Sequence, residues 1–281
     1  MIDWRTAFRP GGIISYVIRK NNAPHHSTLT GQLIRYNQSF RPSLNPNITH
    51  VGVINYMGTE TPEEGKTQLH AIEILKGGKA GDRIVERNYG IEGDMLKKNL
   101  VLNAHPRITS ENFMKKALEV AKGFSGVSYD LSTLIEVAFS PKNVRVDANY
   151  TKEVCKKYNI DSVKGTFTVD TAKHTFICPE LVVTSYQIAW LILAGPEAAN
   201  KPFPDFINIH ARCSADGLVS FMRTNDHYEH VRLEDAHALM YSGTPHPNDP
   251  PDPDKHYGQE KIECAENIAK FVGSFKQRAK M

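Results

Sequence analysis

A histidine on an apolar run and a cysteine that opens a helix are the two side chains in this sequence best suited to do chemistry together. His50 lies in Ile48-Thr49-His50-Val51-Gly52-Val53-Ile54, and Cys178 lies in Phe176-Ile177-Cys178-Pro179-Glu180-Leu181-Val182. A thiol needs a base to become a nucleophile. At a helix N-terminus the dipole and the unpaired N–H groups favour the thiolate further. The pair predicts a Cys/His hydrolase in which His50 first removes the thiol proton and later protonates the leaving group. Each residue also has a plainer reading, Cys178 as a small core hydrophobe and His50 as a hydrogen-bonded core histidine.

A third polar residue would hold the imidazole in place. Glu73, in Leu69-His70-Ala71-Ile72-Glu73-Ile74-Leu75, shares a strand face with Leu69 and Ala71, which aims a carboxylate into apolar surroundings. His70 competes for the role, but strand alternation puts it on the opposite face, and the expectation is that only one of the two points inward. Gly52 lacks a side chain next to His50 and is expected to leave room there for a substrate or a neighbouring backbone. Backbone N–H groups at Cys178 and the first helical turn, which includes Pro179, are the natural oxyanion donors. Tyr16 is a weaker candidate for another donor.

Other chemistries lack their spacing. Gly65-Lys66-Thr67 has Glu60 where a phosphate-binding loop needs glycine. No HExxH, GxGxxG or GxSxG occurs, and the pair His25-His26 stands alone in a polar stretch. The expectation is of no metal and no cofactor. With 34 Lys and Arg against 31 Asp and Glu, the net charge of +3 is too balanced for a dedicated nucleic-acid binder. Four cysteines, Cys155, Cys178, Cys213 and Cys264, are scattered without a CxxC pair, which points to free thiols in a reducing compartment. Residues 1–8 do not read as a signal peptide, and the apolar stretch from Val182 to Ala194 is too short to span a bilayer. The sequence therefore predicts a soluble protein, cytoplasmic or exported without a cleaved signal.

The elements around these residues follow from periodicity. Ile13 to Ile18 reads as a strand entered from a turn at Arg9 to Gly12, Thr49 to Met57 as a second and Leu69 to Leu75 as a third, with further strands at Arg83 to Glu86 and Lys98 to Asn103. Phe113, Met114, Ala117, Leu118 and Ala121 recur at helical spacing after a cap at Thr109 or Ser110, and a short helix covers Leu131 to Phe139. Pro141 to Lys173 reads as an irregular insertion with a strand at Gly165 to Val169. Cys178 opens a long apolar helix, accommodating Pro179 in its first turn and ending at Gly195-Pro196. Another helix follows Ser214. Residues 244–254 carry five prolines in eleven positions, a semi-rigid linker. Ile262, Ala265, Ala269 and Val272 mark a terminal amphipathic helix.

The order of these blocks resembles that of the circularly permuted papain-like cysteine hydrolases, in the YiiX-like branch of the NlpC-type superfamily. The likeness runs over roughly residues 10 to 235. Gly11-Gly12-Ile13-Ile14 stands for the opening strand of that family, Thr49-His50-Val51-Gly52 for its histidine strand and Ile72-Glu73-Ile74 for its carboxylate strand. Gly126-Val127-Ser128-Tyr129-Asp130 stands for the helix start before the nucleophile, and Cys178-Pro179-Glu180-Leu181 for the nucleophile block. Cys213-Ser214-Ala215-Asp216-Gly217-Leu218 is similar to the segment that packs after it. Pro179 replaces a usual serine, Gly12 replaces a usual aspartate, and the insertions at Asn21 to Asn47 and Pro141 to Lys173 are long and would rim the cleft. The lecithin:retinol acyltransferase-like group also puts His before Cys, but its Asn-Cys-Glu-His block is absent.

The resemblance implies an α+β papain-like fold, a small antiparallel sheet carrying His50 and Glu73 packed on the helix of Cys178. It implies a thiol-dependent hydrolase of peptide-like amides or esters working through an acyl-enzyme. The expected organisation is a catalytic domain over 1–243, a Pro-rich linker over 244–257 and a helix over 258–281. Lipid or protein acyl transfer, or acyl hydrolysis, is the alternative enzyme. A catalytically silent, effector-like interaction protein, docking a protein partner through its C-terminal helix, is the alternative outside enzymes.

Overall fold

The structure, a computed structural model, describes residues 9–18, 48–59, 67–75, 83–90, 99–107 and 110–231. The β-branched runs form strands β1 (Ile13–Ile18), β2 (Ile48–Thr59), β3 (Thr67–Leu75), β4 (Arg83–Gly90) and β5 (Asn99–Pro106). Two short strands, β6 (Ser128–Tyr129) and β7 (Thr175–Phe176), and a final strand, β8 (Tyr228–Val231), complete one eight-stranded sheet in the order β7-β6-β4-β3-β2-β1-β5-β8. All neighbours are antiparallel except β6 and β7. Ile14 pairs with Gly52 and Tyr16 with His50 across β1 and β2, while Val53 pairs with Ile72 across β2 and β3.

Helix α1 (Glu111–Gly123) is capped by the Ser110 hydroxyl and buries Phe113, Met114, Ala117, Val120 and Ala121, the stripe its spacing predicts. Helix α2 (Leu131–Phe139) follows its cap at Asp130. Helix α4 (Cys178–Ala194) is apolar around most of its circumference, and such a helix belongs in an interior. All of its residues from Cys178 to Ala189 are buried. It ends where Gly195 takes φ +82° ahead of Pro196. Helix α5 (Ala215–Thr224) is capped by Ser214. One core joins Val51 and Val53 of β2, Ile72 and Ile74 of β3, and Ile84 of β4 to the buried faces of α1 and α4. A curled, mostly antiparallel sheet packed against helices is thus an α+β fold.

Tyr186 of α4 ties this core to the start of β1, donating its hydroxyl proton to the Gly11 carbonyl at 2.5 Å. Gly11 has φ +84°, and a Cβ there would overlap the Met114 carbonyl, so the turn before β1 requires glycine.

The region from Pro141 to Lys173 departs from the irregular reading. It contains helix α3 (Ala148–Lys157), whose cap is the Asp147 carboxylate accepting from Asn149 N and Tyr150 N. The strand expected at Gly165 to Val169 does not form. Only an isolated bridge between Asp161 and Thr166 is present there, and Gly165 takes φ +67°. The insertion at Asn21 to Asn47, His25-His26, the linker 244–257, the helix expected over 258–281 and Cys264 lie outside the described residues. Cys155, Cys178 and Cys213 are free thiols. Among the described residues, no helix is long and apolar enough to cross a membrane, and no group of His, Cys, Asp and Glu could hold a metal ion.

Candidate functional site

Cys178 is the first residue of α4, and its N-cap, Ile177, has no side chain to offer the helix start. The buried Glu180 carboxylate stands near this start: burial raises its pKa and the Ile177 backbone N–H works against that rise. Glu180 stands at N3, where a carboxylate reaches back to the N-cap amide in a capping box. Pro179 has no N–H to satisfy. The first-turn amides near Cys178 therefore receive no side-chain cap from Ile177, and oriented N–H groups of this kind attract a developing negative charge.

His50 reaches this helix start from β2. Its Nε2 is shielded from solvent and lies 3.4 Å from Glu73 Oε2, while 21% of its side chain remains exposed. Cys178 also acts on the ring, favouring its charged form. Burial is the largest influence on His50 and disfavours the imidazolium, but Cys178 and then Glu73 outweigh it, and the pKa is pushed up to about 10. The imidazole thus lies beside the buried carboxylate of β3 and feels the thiol of α4 in its pKa.

Glu73 is fully buried on an interior strand between β2 and β4. Its position explains Gly52. A Cβ at residue 52 would come within 2.8 Å of Glu73 Cγ and 3.1 Å of the Ile72 carbonyl. The space beside His50 is therefore taken by the Glu73 side chain and by the Ile72 backbone, the close neighbouring backbone that was expected, and not by a gap for substrate. His70 and Glu73 face opposite ways, as alternation requires, yet both are buried, at 6% and 0% exposure. The expectation that only one points inward fails because both faces of β3 are covered. His70 belongs to a separate group, with Nδ1 3.1 Å from Glu86 Oε1, an oxygen that also accepts from Asn55 Nδ2 at 2.6 Å. The Tyr16 backbone pairs with His50, but its side chain lies outside the described part of the structure.

Sequence reasoning gave no role to Glu180, although its position three residues after Ile177 is the spacing of a capping carboxylate. Asp130 was also missed as a junction. Its carboxylate accepts from Thr133 N at 2.8 Å, from the Ser132 and Thr133 hydroxyls at 2.7 Å each, and from the Thr175 hydroxyl of β7 at 2.7 Å. It fixes the strand that leads into Cys178.

This is an α+β protein with an imidazole set 3.4 Å from a buried carboxylate and a thiol at the start of a buried helix. No family model, no curated protein and no solved structure matches the chain.

Proposed function

We propose that the chain is a cysteine hydrolase of the circularly permuted papain-like kind, cleaving an amide, peptide-like, or an ester bond. What supports this reading is the His50 ring, 3.4 Å from Glu73 and pushed toward its charged form by Cys178. In this mechanism His50 takes the Cys178 proton, and Glu73 stabilises the resulting imidazolium. With Nε2 turned to Glu73, Nδ1 is the ring atom left for the thiol. Sγ attacks the carbonyl carbon, and the oxyanion is met by the backbone N–H groups at the start of α4. Collapse breaks the bond to the leaving amine or alcohol, which takes the proton from His50, and a thioester remains. Water then gives a proton to His50 and attacks the thioester. The acid is released and Cys178 recovers its proton.

Site-resolved alkylation of the native protein with iodoacetamide tests the nucleophile. Burial pushes the Cys213 and Cys155 thiols up, whereas Cys178 adjoins a base. Cys178 is expected to be the fastest of Cys155, Cys178 and Cys213, and Cys178→Ser is expected to abolish turnover of amide and ester substrates. Equal or slower labelling of Cys178 would refute the assignment.

A further inference from the structure

The helix that carries the thiol is joined to the sheet by very little ladder. Strand β7, which runs straight into α4, has two residues and one neighbour, β6. That neighbour also has two residues and meets β4 only at the pair Arg83 and Ser128. Ser128 beside Thr175 and Tyr129 beside Phe176 are the pairs that set the parallel register of β6 and β7. Two pairs offer few bonds to hold a register, and a slip of one residue turns every side chain to the other face. It would also carry the chain about 3.3 Å along the strand, and Cys178 stands three residues past Thr175.

Side chains add what the ladder lacks. The Asp130 carboxylate is held on its own side by the Thr133 N–H at 2.8 Å and by the Ser132 and Thr133 hydroxyls at 2.7 Å each. Fixed in this way at the start of α2, it accepts the Thr175 hydroxyl at 2.7 Å, and the Asp130 N–H donates to the Phe176 carbonyl at 2.9 Å. One residue therefore bonds both members of β7. Ile177 shares a strand face with Thr175 and is buried with Leu134 and Val137 of α2. Phe176 turns the other way, edge-on to Phe124 with centroids 4.8 Å apart. A slip would bring Phe176 against α2 and Thr175 into the core.

We propose that Thr175 and Asp130 are positioning residues, whose bond locks the register of β7 and thereby sets the place of the Cys178 thiol relative to its base. The proposal rests on the cysteine-hydrolase reading and adds that thiol reactivity is governed from the start of α2, through a hydrogen bond that touches neither substrate nor reacting atoms.

Thr175→Val removes the hydroxyl and keeps the branched shape at an exposed position. Ser132→Ala is the matched control, because it deletes a bond of the same length to the same carboxylate without reaching β7. Melting temperatures of the two variants should fall by similar small amounts. At pH 7, Thr175→Val is expected to slow alkylation of Cys178 by iodoacetamide roughly tenfold, as displacement of a reacting group does, while Ser132→Ala keeps the rate. Thr175→Ser should restore it. The deficit should shrink above about pH 9, where a thiol ionises without help. Thr175→Ala, which removes the hydroxyl without added bulk, repeats the comparison should the valine variant melt early. Equal rates in Thr175→Val and Ser132→Ala, with Cys178 still labelled faster than Cys155 and Cys213, would overturn the lock and spare the hydrolase reading. A loss that persists undiminished at alkaline pH would mean a thiol made less accessible rather than parted from its base, and would overturn the lock too. Failure of Thr175→Ser to restore the rate would do the same. If Cys178 of the unaltered protein reacts no faster than Cys155 and Cys213, both readings fall.

Discussion

His50 answers to two neighbours of different character, and substitutions can separate them. His50→Ala removes the base and is expected to lower both turnover and Cys178 alkylation by at least about a hundredfold. Glu73→Gln keeps shape and hydrogen bonding but removes the charge that steadies the imidazolium, so it should depress kcat more than KM. His70→Ala is the control, because His70 is engaged with Glu86 on the other face of β3. Full turnover in Glu73→Gln combined with loss in His70→Ala would reassign the third residue. Gly52→Ala gives a subtler probe. The added methyl would come within 2.8 Å of Glu73 Cγ and push the carboxylate off the imidazole without touching substrate. A displacement of that kind is expected to cost roughly ten- to a hundredfold in turnover, with KM little changed. Steady-state kinetics beside a melting curve would show whether the loss is catalytic or merely structural.

At the level of elements, α4 depends on an unusual start. Ile177 supplies no cap, which leaves the Asp130 junction to hold the entry into the helix and gives Glu180, at N3, the position for a capping role. Glu180→Ala is expected to destabilise the protein by about 1–2 kcal/mol, the range for losing a helix cap. Glu180→Gln retains an acceptor and should lose much less. Urea unfolding midpoints compare the two, and equal losses would mean that packing rather than capping is at stake. The start and stop of α4 were legible in the sequence because Pro179 and Gly195-Pro196 are local signals. Strands β1 to β3 were legible from their β-branched runs, and Cys178, His50 and Glu73 stood out by residue type and chain order. Helix α3 was not legible. Its sequence buries only Thr151 and Val154, too little apolar repetition to rise above the polar background, and its start rests on the Asp147 cap. The purpose of Gly52 was hidden for another reason. It follows from which residue faces it across β2 and β3, and register is a property of the folded pair.

Across the whole molecule, the ionisable groups fix a pH window for stability. His50 has its pKa raised from 6.5 to about 10 by Cys178 and Glu73 against the opposing effect of burial. Its contribution is complete below about pH 6.5 and is lost as pH rises through about 10. Asp130 behaves in the opposite sense. Burial would raise its pKa, but the bonds from Thr133, Ser132 and Thr175 hold it well below the usual carboxylate range. Its contribution is present above the ordinary value of 3.8 and is lost as pH falls below it. Melting temperature against pH should therefore decline at both ends, with Asp130→Asn flattening the acid limb and His50→Gln the alkaline one. Persistence of either limb in its own variant would assign that limb to other groups. The order of the chain adds a consequence in time. Strands β1 to β5, which carry the imidazole and the buried carboxylate, all precede the cysteine, and synthesis delivers a chain from its N-terminus. The newborn polypeptide thus holds its imidazole and its thiol apart until α4 docks, so under the proposed mechanism the cysteine gains its base only in the event that completes the core, and an unfinished chain carries an unassisted thiol.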